Sequence, residues 1–403
     1  MSAPVIDLAA VPRIAPDEHR ARQARARALA AERGFDALAA WSRGGTTQDR
    51  YAEVFWLTGF YTHFPTIGDA AGSGRARGHC AAVLGPDGTE LVVDVRQLRP
   101  DDGPVADDVR FASDPLAGLA EALERALPSG GRVALLGGDA LAGRWSRWLA
   151  ARLPRHELVE VDELGHALRL VKSPAEQRLL RAAGVVGSAA LDAAMDAAVP
   201  GASESDVVAA AAEHVLRAGG ALYGLGLSAG PWAHTFSPTR PAAWDGRRRF
   251  AEGDMVRLDL YGSIDGYLFD LARSRVVGRA PDGDQQSLLD AVVDCVAAGV
   301  AAIRPGATIG AIAERCEAAL LASDYAARFE VAASPLGSWG HSLGVCWEAP
   351  WIEADNPLGL VEGMCLAVEL RIEQPGVGGA QHEENVLVVE GGAELLSSAR
   401  VYR

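Results

Sequence analysis

Nothing in this chain of 403 residues runs apolar for long enough to cross a bilayer. Hydrophobic residues make up 49% of it, but much of that is alanine, and charge or glycine breaks every long apolar stretch short of a membrane span. No transmembrane helix and no membrane partner are expected. Cysteine is sparse and scattered. Cys80, Cys295, Cys316, Cys346 and Cys365 are odd in number and include no Cys-x-x-Cys pair, which argues against both a disulfide framework and a thiolate zinc site. They are expected to be reduced and mostly buried. Basic charge is in deficit, with 38 Lys and Arg against 53 Asp and Glu and a net charge of -15. Such a field repels phosphate backbones, so no nucleic acid is expected as a partner. The one basic cluster, Arg247-Arg248-Arg249, reads as a solvated loop. The opening Met-Ser-Ala-Pro-Val-Ile-Asp lacks the basic-then-apolar layout of a secretory signal, and a cytoplasmic location is the expectation.

What is present divides in two. A chain of this length exceeds the usual growth of one hydrophobic core, so two domains are expected. The first half alternates helical and strand-like segments. An amphipathic stretch from Pro16 to Arg33 carries Asp17 and Glu18 where a helix N-terminus favours negative charge. Candidate strands follow at Phe35–Trp41, Ala81–Leu84, Glu90–Val95, Arg132–Leu136 and Glu157–Val161, with helices near Leu116–Leu127 and Leu141–Leu153. That alternation predicts a small α/β layered domain. At Ser173-Pro174-Ala175-Glu176 a helix start is written compactly, with Ser173 as N-cap, Pro174 at the first helical position and Glu176 three residues after the cap. The boundary belongs just before it, giving domains 1-168 and 169-403. A second capped start stands at Ser203, after Pro200-Gly201. Helices near Gln286–Ala302 and Ile309–Leu321, and strands from Met255 onward, give the second half an α+β character, with helices on one face of a mainly antiparallel sheet. No internal repeat is visible in the sequence.

The chemistry sits in that second half. In Met255–Tyr261 the apolar Val256, Leu258 and Leu260 alternate with the others, so Asp259 points away from their face. Tyr267–Asp270 reads as the returning strand. If Ile264-Asp265 forms the two-residue loop, Asp259 and Asp270 face each other, with Cβ atoms about 4.5–5.5 Å apart. Carboxylates that close raise each other's pKa unless something positive lies between them. A divalent cation is the economical solution, and hard oxygen ligands suit magnesium, manganese, iron or zinc. Further on, Glu369 lies mid-strand in Met364–Ile372, and Glu383 opens the strand Glu383–Val389. Mid-strand acids among apolar neighbours are seldom left unpaired. Gly340-His341-Ser342-Leu343-Gly344 offers an imidazole between glycines, where backbone can approach a site closely. Taken singly, each acid reads as a salt-bridge partner and the histidine as a loop residue. The ordered set Asp259, Asp270, His341, Glu369, Glu383 reads otherwise.

That set resembles the pita-bread metallopeptidase family, which includes methionine aminopeptidase, aminopeptidase P, prolidase and the metal-free relative creatinase. The family's five metal ligands run Asp, Asp, His, Glu, Glu. The matching residues here are Asp259 and Asp270, eleven positions apart, Gly340-His341, Gly363-Met364 leading to Glu369, and Glu383-Glu384-Asn385-Val386-Leu387-Val388. The first half is similar too. Tyr51–Phe60, ending in Leu-Thr-Gly-Phe, looks like part of the prolidase and creatinase N-terminal domain, and Leu168–Ser173 with Glu176 looks like the family's domain junction. The resemblance covers nearly the whole chain. It implies an α/β creatinase-like N-terminal domain, then an α+β pita-bread catalytic domain, in a homodimer. It implies two divalent metal ions, drawn from manganese, cobalt, zinc or iron. Asp259 would chelate one, Asp270 and Glu383 would bridge both, and His341 with Glu369 would complete the second. A water bridging the ions loses a proton near neutral pH and becomes the nucleophile. His234 stands where the family has a substrate-side histidine, to donate a hydrogen bond or shuttle a proton.

The chain departs from its relatives around the substrate. Where the peptidases carry a second histidine, seven residues after the ligand, this chain has Glu348, preceded by Trp347. Leu370 replaces the usual proline after the first Glu, and Gln381 replaces the arginine of aminopeptidase P and prolidase two residues before the last Glu. Trp244-Asp245-Gly246-Arg247 lengthens the segment ahead of Asp259 and reads as a surface insertion. The expected activity is a metal-dependent hydrolase, Xaa-Pro aminopeptidase- or prolidase-like, cleaving the C–N bond of a short peptide or a small non-peptide amide or amidine. The alternative is a metal-dependent lyase or non-peptidase member acting on a specialised small metabolite.

Overall fold

The computed structural model describes residues 6–45, 52–62, 64, 66–69, 75–96, 98, 103–235, 242–331 and 337–403. Two compact units emerge, Ile14–Leu170 and a second comprising Val171–Arg403 with the start of the chain up to Arg13. No helix among the described residues is long and apolar enough to cross a membrane. All five cysteines are buried.

The first unit follows the order α1 (Pro16–Glu32), β1 (Ala37–Arg43), α2 (Ala52–Thr58), β2 (His79–Leu84), β3 (Thr89–Val93), β4 (Asp108–Phe111), α3 (Pro115–Ala126), β5 (Gly131–Leu136), α4 (Gly143–Arg152), β6 (His156–Glu160), α5 (Asp162–Arg169). Its six strands form one mixed sheet in the order β4-β3-β2-β1-β5-β6. Trp41, Val83, Leu116, Leu119, Leu123, Leu135, Trp145 and Leu149 fill the core between sheet and helices. Helix α1 differs from expectation on its inner face, which is polar. Arg22 and Gln23 are buried there and donate to the end of α2, Arg22 to the Trp56 carbonyl at 3.0 Å and Gln23 to Leu57 at 3.0 Å. The last carbonyls of a short helix have no partner of their own, and these side chains supply one. Three elements went unforeseen, namely α2, α5 and β4. Strand β4 is a largely exposed edge without the alternation that marks a half-buried strand. Tyr51, the first residue of the stretch resembling prolidase, lies outside the described residues.

In the second unit the two capped starts are real helices. Helix α6 (Pro174–Ala197) opens on a reciprocal capping box between Ser173 and Glu176, and α7 (Glu204–Arg217) on one between Ser203 and Asp206. Glu176 also accepts a hydrogen bond from the Tyr267 hydroxyl at 3.0 Å, which fixes α6 to the strand carrying Asp270. Strands β7 (Ala221–Ala229), β8 (Met255–Ile264) and β9 (Tyr267–Val276) follow as an antiparallel sheet. The pattern of helices then antiparallel strands then recurs: α8 (Gly283–Ala302), α9 (Ile309–Leu321), α10 (Asp324–Arg328), β10 (Gly340–Leu343), β11 (Trp347–Trp351), β12 (Cys365–Gln374), β13 (Gly378–Val389) and β14 (Gly392–Leu395). The last five strands pair in the order β11-β10-β12-β13-β14. The repetition is one of structure rather than of sequence.

Two expectations about the strands are corrected. The β8–β9 loop is Asp265-Gly266, with φ of 46° and 81°, and Ile264 pairs with Tyr267. Positive φ at both central residues is the signature of the tight turn that matches strand twist, and Asp-Gly is a favoured pair for it. Asp259 therefore faces Ala272, and Asp270 faces Tyr261. The aspartates are diagonal neighbours on one face rather than directly opposed. Strand β13 begins at Gly378, so Glu383 stands mid-strand, directly across from Glu369.

Side chains stitch β9 to β13, strands of different sheets. Asn385 donates to the Asp270 carbonyl at 2.6 Å and accepts from the Asp270 amide at 3.0 Å, and the Ser274 hydroxyl accepts from the Gln381 amide at 2.8 Å. Behind them Arg273 is fully buried. Its guanidinium donates to the Glu383 carbonyl at 2.7 Å, to the Glu384 carboxylate at 2.6 Å and to the carbonyls of Ala399 and Arg400. Removing one partner of a buried ion pair leaves a charge uncompensated, which costs about 3–5 kcal/mol. Arg273→Met is expected to destabilise this unit by about that amount in denaturant titration, and adding Glu384→Gln should recover part of the loss. Strictly additive losses would show that the pair is not coupled.

Candidate metal centre

The four strand acids and one imidazole predicted from sequence lie at a single place. Asp259 and Asp270 share the inner face of the β8–β9 hairpin, and Glu369 and Glu383 the inner face of β12–β13. Strand β10 runs beside β12 with His341 across from Ala367. The close approach needs Gly340, whose φ is 130° and where a Cβ would stand 2.0 Å from the Ala367 carbonyl. One ligand atom each from Asp270, His341 and Glu383 lie within 4.8 Å of one another. His341 Nδ1 is 3.1 Å from the Ser342 carbonyl, a contact that assigns the ring proton there and leaves Nε2 turned to Asp270 at 3.5 Å. Asp259 and Glu369 are joined by Gln381, whose amide nitrogen donates to Asp259 at 3.1 Å and to Glu369 at 3.3 Å.

His234 makes no hydrogen bond or ion pair with this cluster among the described residues. It follows a short 3-10 turn after β7, its ring 6.3 Å from that of Trp232. Its backbone is nonetheless held. The Thr235 carbonyl accepts from Arg257 at 2.6 Å, and the Ala233 carbonyl lies so near β13 that a Cβ on Gly379 would come within 2.1 Å of it. The chain beyond, 236–241, lies outside the described residues.

Electrostatics make the cluster unstable as it stands. Asp270, His341 and Glu383 are buried, while Asp259 and Glu369 keep a partly exposed edge at which the cluster opens. Burial first, and then the charges of Asp270 and Glu369, push Asp259 up to about 8. Burial and the neighbouring acids hold Glu383 well above the ordinary carboxylate range. Burial also raises Glu369, where the charge of His341 pulls the other way. For His341 burial disfavours the charged ring, yet its bond to Asp270 and the nearby charges outweigh that and raise its pKa. One oxygen of Glu383 is buried with no hydrogen-bond partner. Four carboxylates crowded at one place, an orphaned oxygen and an imidazole nitrogen fit hard divalent cations.

Around the cluster the structure supplies what sequence reading missed. Gln381 appeared there only as a departure from an arginine, and its bridging role needs the fold to be seen. Asn385 was part of a motif without a stated task. Trp347, whose strand was unforeseen, lies 5.8 Å from the His341 ring and 5.0 Å from that of Tyr261. Glu348 is buried across from Ser342, and its carboxylate and Lys172 both lie against Gly344. The basic run is not merely solvated, since Arg248 pairs with Asp254 at 2.7 Å and Glu204 at 3.4 Å.

Comparison with known proteins gives a family match across the second unit. Residues 178–390 match metallopeptidase family M24. The probable dipeptidase PepE of Mycobacterium tuberculosis is 34% identical over 233 residues, 56% of this chain and 58% of that protein. The Xaa-Pro dipeptidase of Pyrococcus furiosus is 27% identical over 245 residues, 60% of this chain and 67% of that protein. The matched segment thus spans under two thirds of the mycobacterial relative. Among solved structures, dipeptidase PepE from Mycobacterium ulcerans superposes with a TM-score of 0.77 at 25% identity, covering 97% of this chain and 98% of that one. The prolidase from Pyrococcus horikoshii gives 0.74 at 18% identity, covering 94% and 99%, a likeness of fold. The fold is therefore the two-domain pita-bread arrangement with a creatinase-like N-terminal domain.

The shifted carboxyls set a pH signature for the metal-free protein. Their folded pKa values lie above the unfolded ones, near 4 for a free acid, so between that pH and about 8 for Asp259 the folded state holds extra protons. Stability therefore falls as pH rises through this window. Added manganese is expected to raise the melting temperature more at pH 8 than at pH 5, and equal shifts would contradict the reading. Gln381→Leu, which removes the bridge between two acids, is expected to weaken metal affinity about 10–100-fold by calorimetry.

Proposed function

This chain belongs to metallopeptidase family M24, and from that membership and its acid cluster we propose that it is a metal-dependent hydrolase cleaving the C–N bond of a short peptide or small amide, in the manner of an Xaa-Pro dipeptidase. The observation that carries the reading is the convergence of Asp259, Asp270, His341, Glu369 and Glu383 with one Glu383 oxygen unpaired. In this proposal Asp259 would help hold one ion, His341 and Glu369 the other, and Asp270 and Glu383 would contribute ligands to both. Bound divalent ions, manganese foremost, would polarise a substrate carbonyl and make water acidic enough to act near neutral pH.

The chain's own residues do the rest. Gln381 keeps Asp259 and Glu369 turned inward through its two hydrogen bonds. Arg257 pins the Thr235 carbonyl and so fixes the backbone that presents His234, which would hydrogen-bond the substrate or carry a proton to the leaving amine. Catalysis is assigned to residues 169-403, with 1-168 as the creatinase-like N-terminal domain. A homodimer working in the cytoplasm, with no nucleic-acid partner, completes the proposal.

A second reading, a lyase or another non-peptidase activity on a specialised small metabolite, is favoured by one observation. No imidazole stands at 348, and Trp347 with Tyr261 occupies the side of His341 instead. Products separate the two, since hydrolysis incorporates solvent oxygen whereas elimination leaves an unsaturated fragment.

The test measures metal and activity together. About two divalent ions per chain, with manganese-dependent cleavage of Xaa-Pro dipeptides abolished by Asp270→Ala, is the expected result. Metal without cleavage favours the second reading, and protein that binds no metal overturns both.

A further inference from the structure

The basic run Arg247-Arg248-Arg249 and the insertion ahead of it are built into the fold rather than laid on its surface. Ala243 and Trp244 are half-buried, and the Ala243 carbonyl accepts from the Leu227 amide of β7 at 3.3 Å. The Asp245 amide donates to the Glu204 carboxylate in the first turn of α7, and a Cβ on Gly246 would stand 2.6 Å from the Ser205 hydroxyl. The Phe250 amide donates to Ala202 and its carbonyl accepts from Gly201, both at 2.9 Å. The segment is therefore fastened along its length to β7 and to the start of α7.

Arg248 reaches back from this segment to the corner where β7 ends. Gly230 has φ of 58°, and its missing side chain leaves the space that the guanidinium fills, since a Cβ there would lie 1.7 Å from Arg248 Nη2. That nitrogen donates to Asp254 at 2.7 Å, and Nη1 to Glu204 at 3.4 Å. The side chains of Arg248, Glu204 and Asp254 are 20%, 8% and 13% exposed, so these are not the solvated pairs that hold little. Gly230 also opens the 3-10 turn Gly230–Trp232, and its carbonyl accepts from the Ala233 amide at 3.0 Å. The Thr235 amide and hydroxyl donate to the Trp232 carbonyl at 2.9 and 2.8 Å. His234 is thus carried on a short, internally bonded stretch with two anchors. Arg257 and Ser228 hold its far end at the Thr235 carbonyl, and Arg248 holds its near end at Gly230. A shift at Gly230 is passed through the turn to the imidazole.

We propose that Arg248 is a positioning residue for His234, wedging the Gly230 corner against Glu204 and Asp254 so that the imidazole is held where it meets the substrate. The inference rests on the hydrolase reading, in which His234 bonds the substrate or carries a proton, and adds the residue that sets where it stands. Arg248 acts only through that histidine. Its planar guanidinium suits the task, because one rigid group addresses two acids on different elements and fixes direction as well as distance.

The test is a double-mutant cycle on manganese-loaded protein with an Xaa-Pro dipeptide, using Arg248→Met, His234→Ala and the two together. Metal content and melting temperature are measured for each. Arg248→Met is expected to lower kcat/KM about 10–100-fold where His234 is present, and by less than about twofold where it is already absent, with metal per chain retained. Equal losses in the two backgrounds, no loss in either, or a loss that tracks metal content, overturn the assignment. Should Arg248→Met fail to fold, Asp254→Asn takes its place, since it loosens the guanidinium while keeping an acceptor for the Ala251 amide. Should wild type cleave no such peptide, the hydrolase reading fails separately, and the His234 ring is followed by NMR in magnesium-loaded protein, its signal assigned by its loss in His234→Ala. A His234 signal displaced or broadened in Arg248→Met, with the other histidine signals in place, supports the role. An unmoved His234 signal, or movement of all the histidines together, overturns it.

Discussion

The repulsion among four carboxylates is the constraint on which the second unit is built. Asp259, Asp270, Glu369 and Glu383 come from four strands of two sheets, and burial together with their own charges drives the first, third and fourth toward the protonated state. Left alone such a group would push the sheets apart. The fold resists in two ways. Asn385 and Ser274 bind β9 to β13 through side chains, and Arg273 fixes the backbone of Glu383 from behind while neutralising Glu384. Only the inward side, where cations fit, is left without compensation.

Much of this was legible in the sequence because strand acids flanked by apolar residues are rare and costly. Asp259, Asp270, Glu369 and Glu383 could be named, and the structure brings them together with His341. Helix starts were equally plain where Ser173 and Ser203 cap their own chains, since a cap is decided within four residues. The turn of the β8–β9 hairpin was misplaced by one residue, which shifts every pairing by two, although Asp265-Gly266 carried the right signal. One residue in the turn moved Asp270 from opposite Asp259 to diagonal from it, without changing the face on which it lies.

What stayed hidden depends on contacts distant in sequence. Gln381 bridges acids 122 and 12 residues away, and nothing local to it marks that role. The buried polar face of α1 is explained only by the carbonyls of α2 that it satisfies. Strands β10 and β11 are only four and five residues long, the first opening on a glycine and the second carrying a proline, too short for alternation to register.

Strand β11 has one further property that bears on how such a protein changes over generations. It is the outermost strand of its sheet, and its pairing with β10 shifts between His341 and Ser342. An edge strand with a bulge tolerates replacement better than one locked between neighbours, because half of its backbone groups face no ladder. The five candidate ligands sit on other strands. Substitutions at Trp347 or Trp351 therefore alter what packs against His341 without removing any of the five candidate ligands, so the surroundings of the cluster can drift through a lineage while the ligands themselves are inherited.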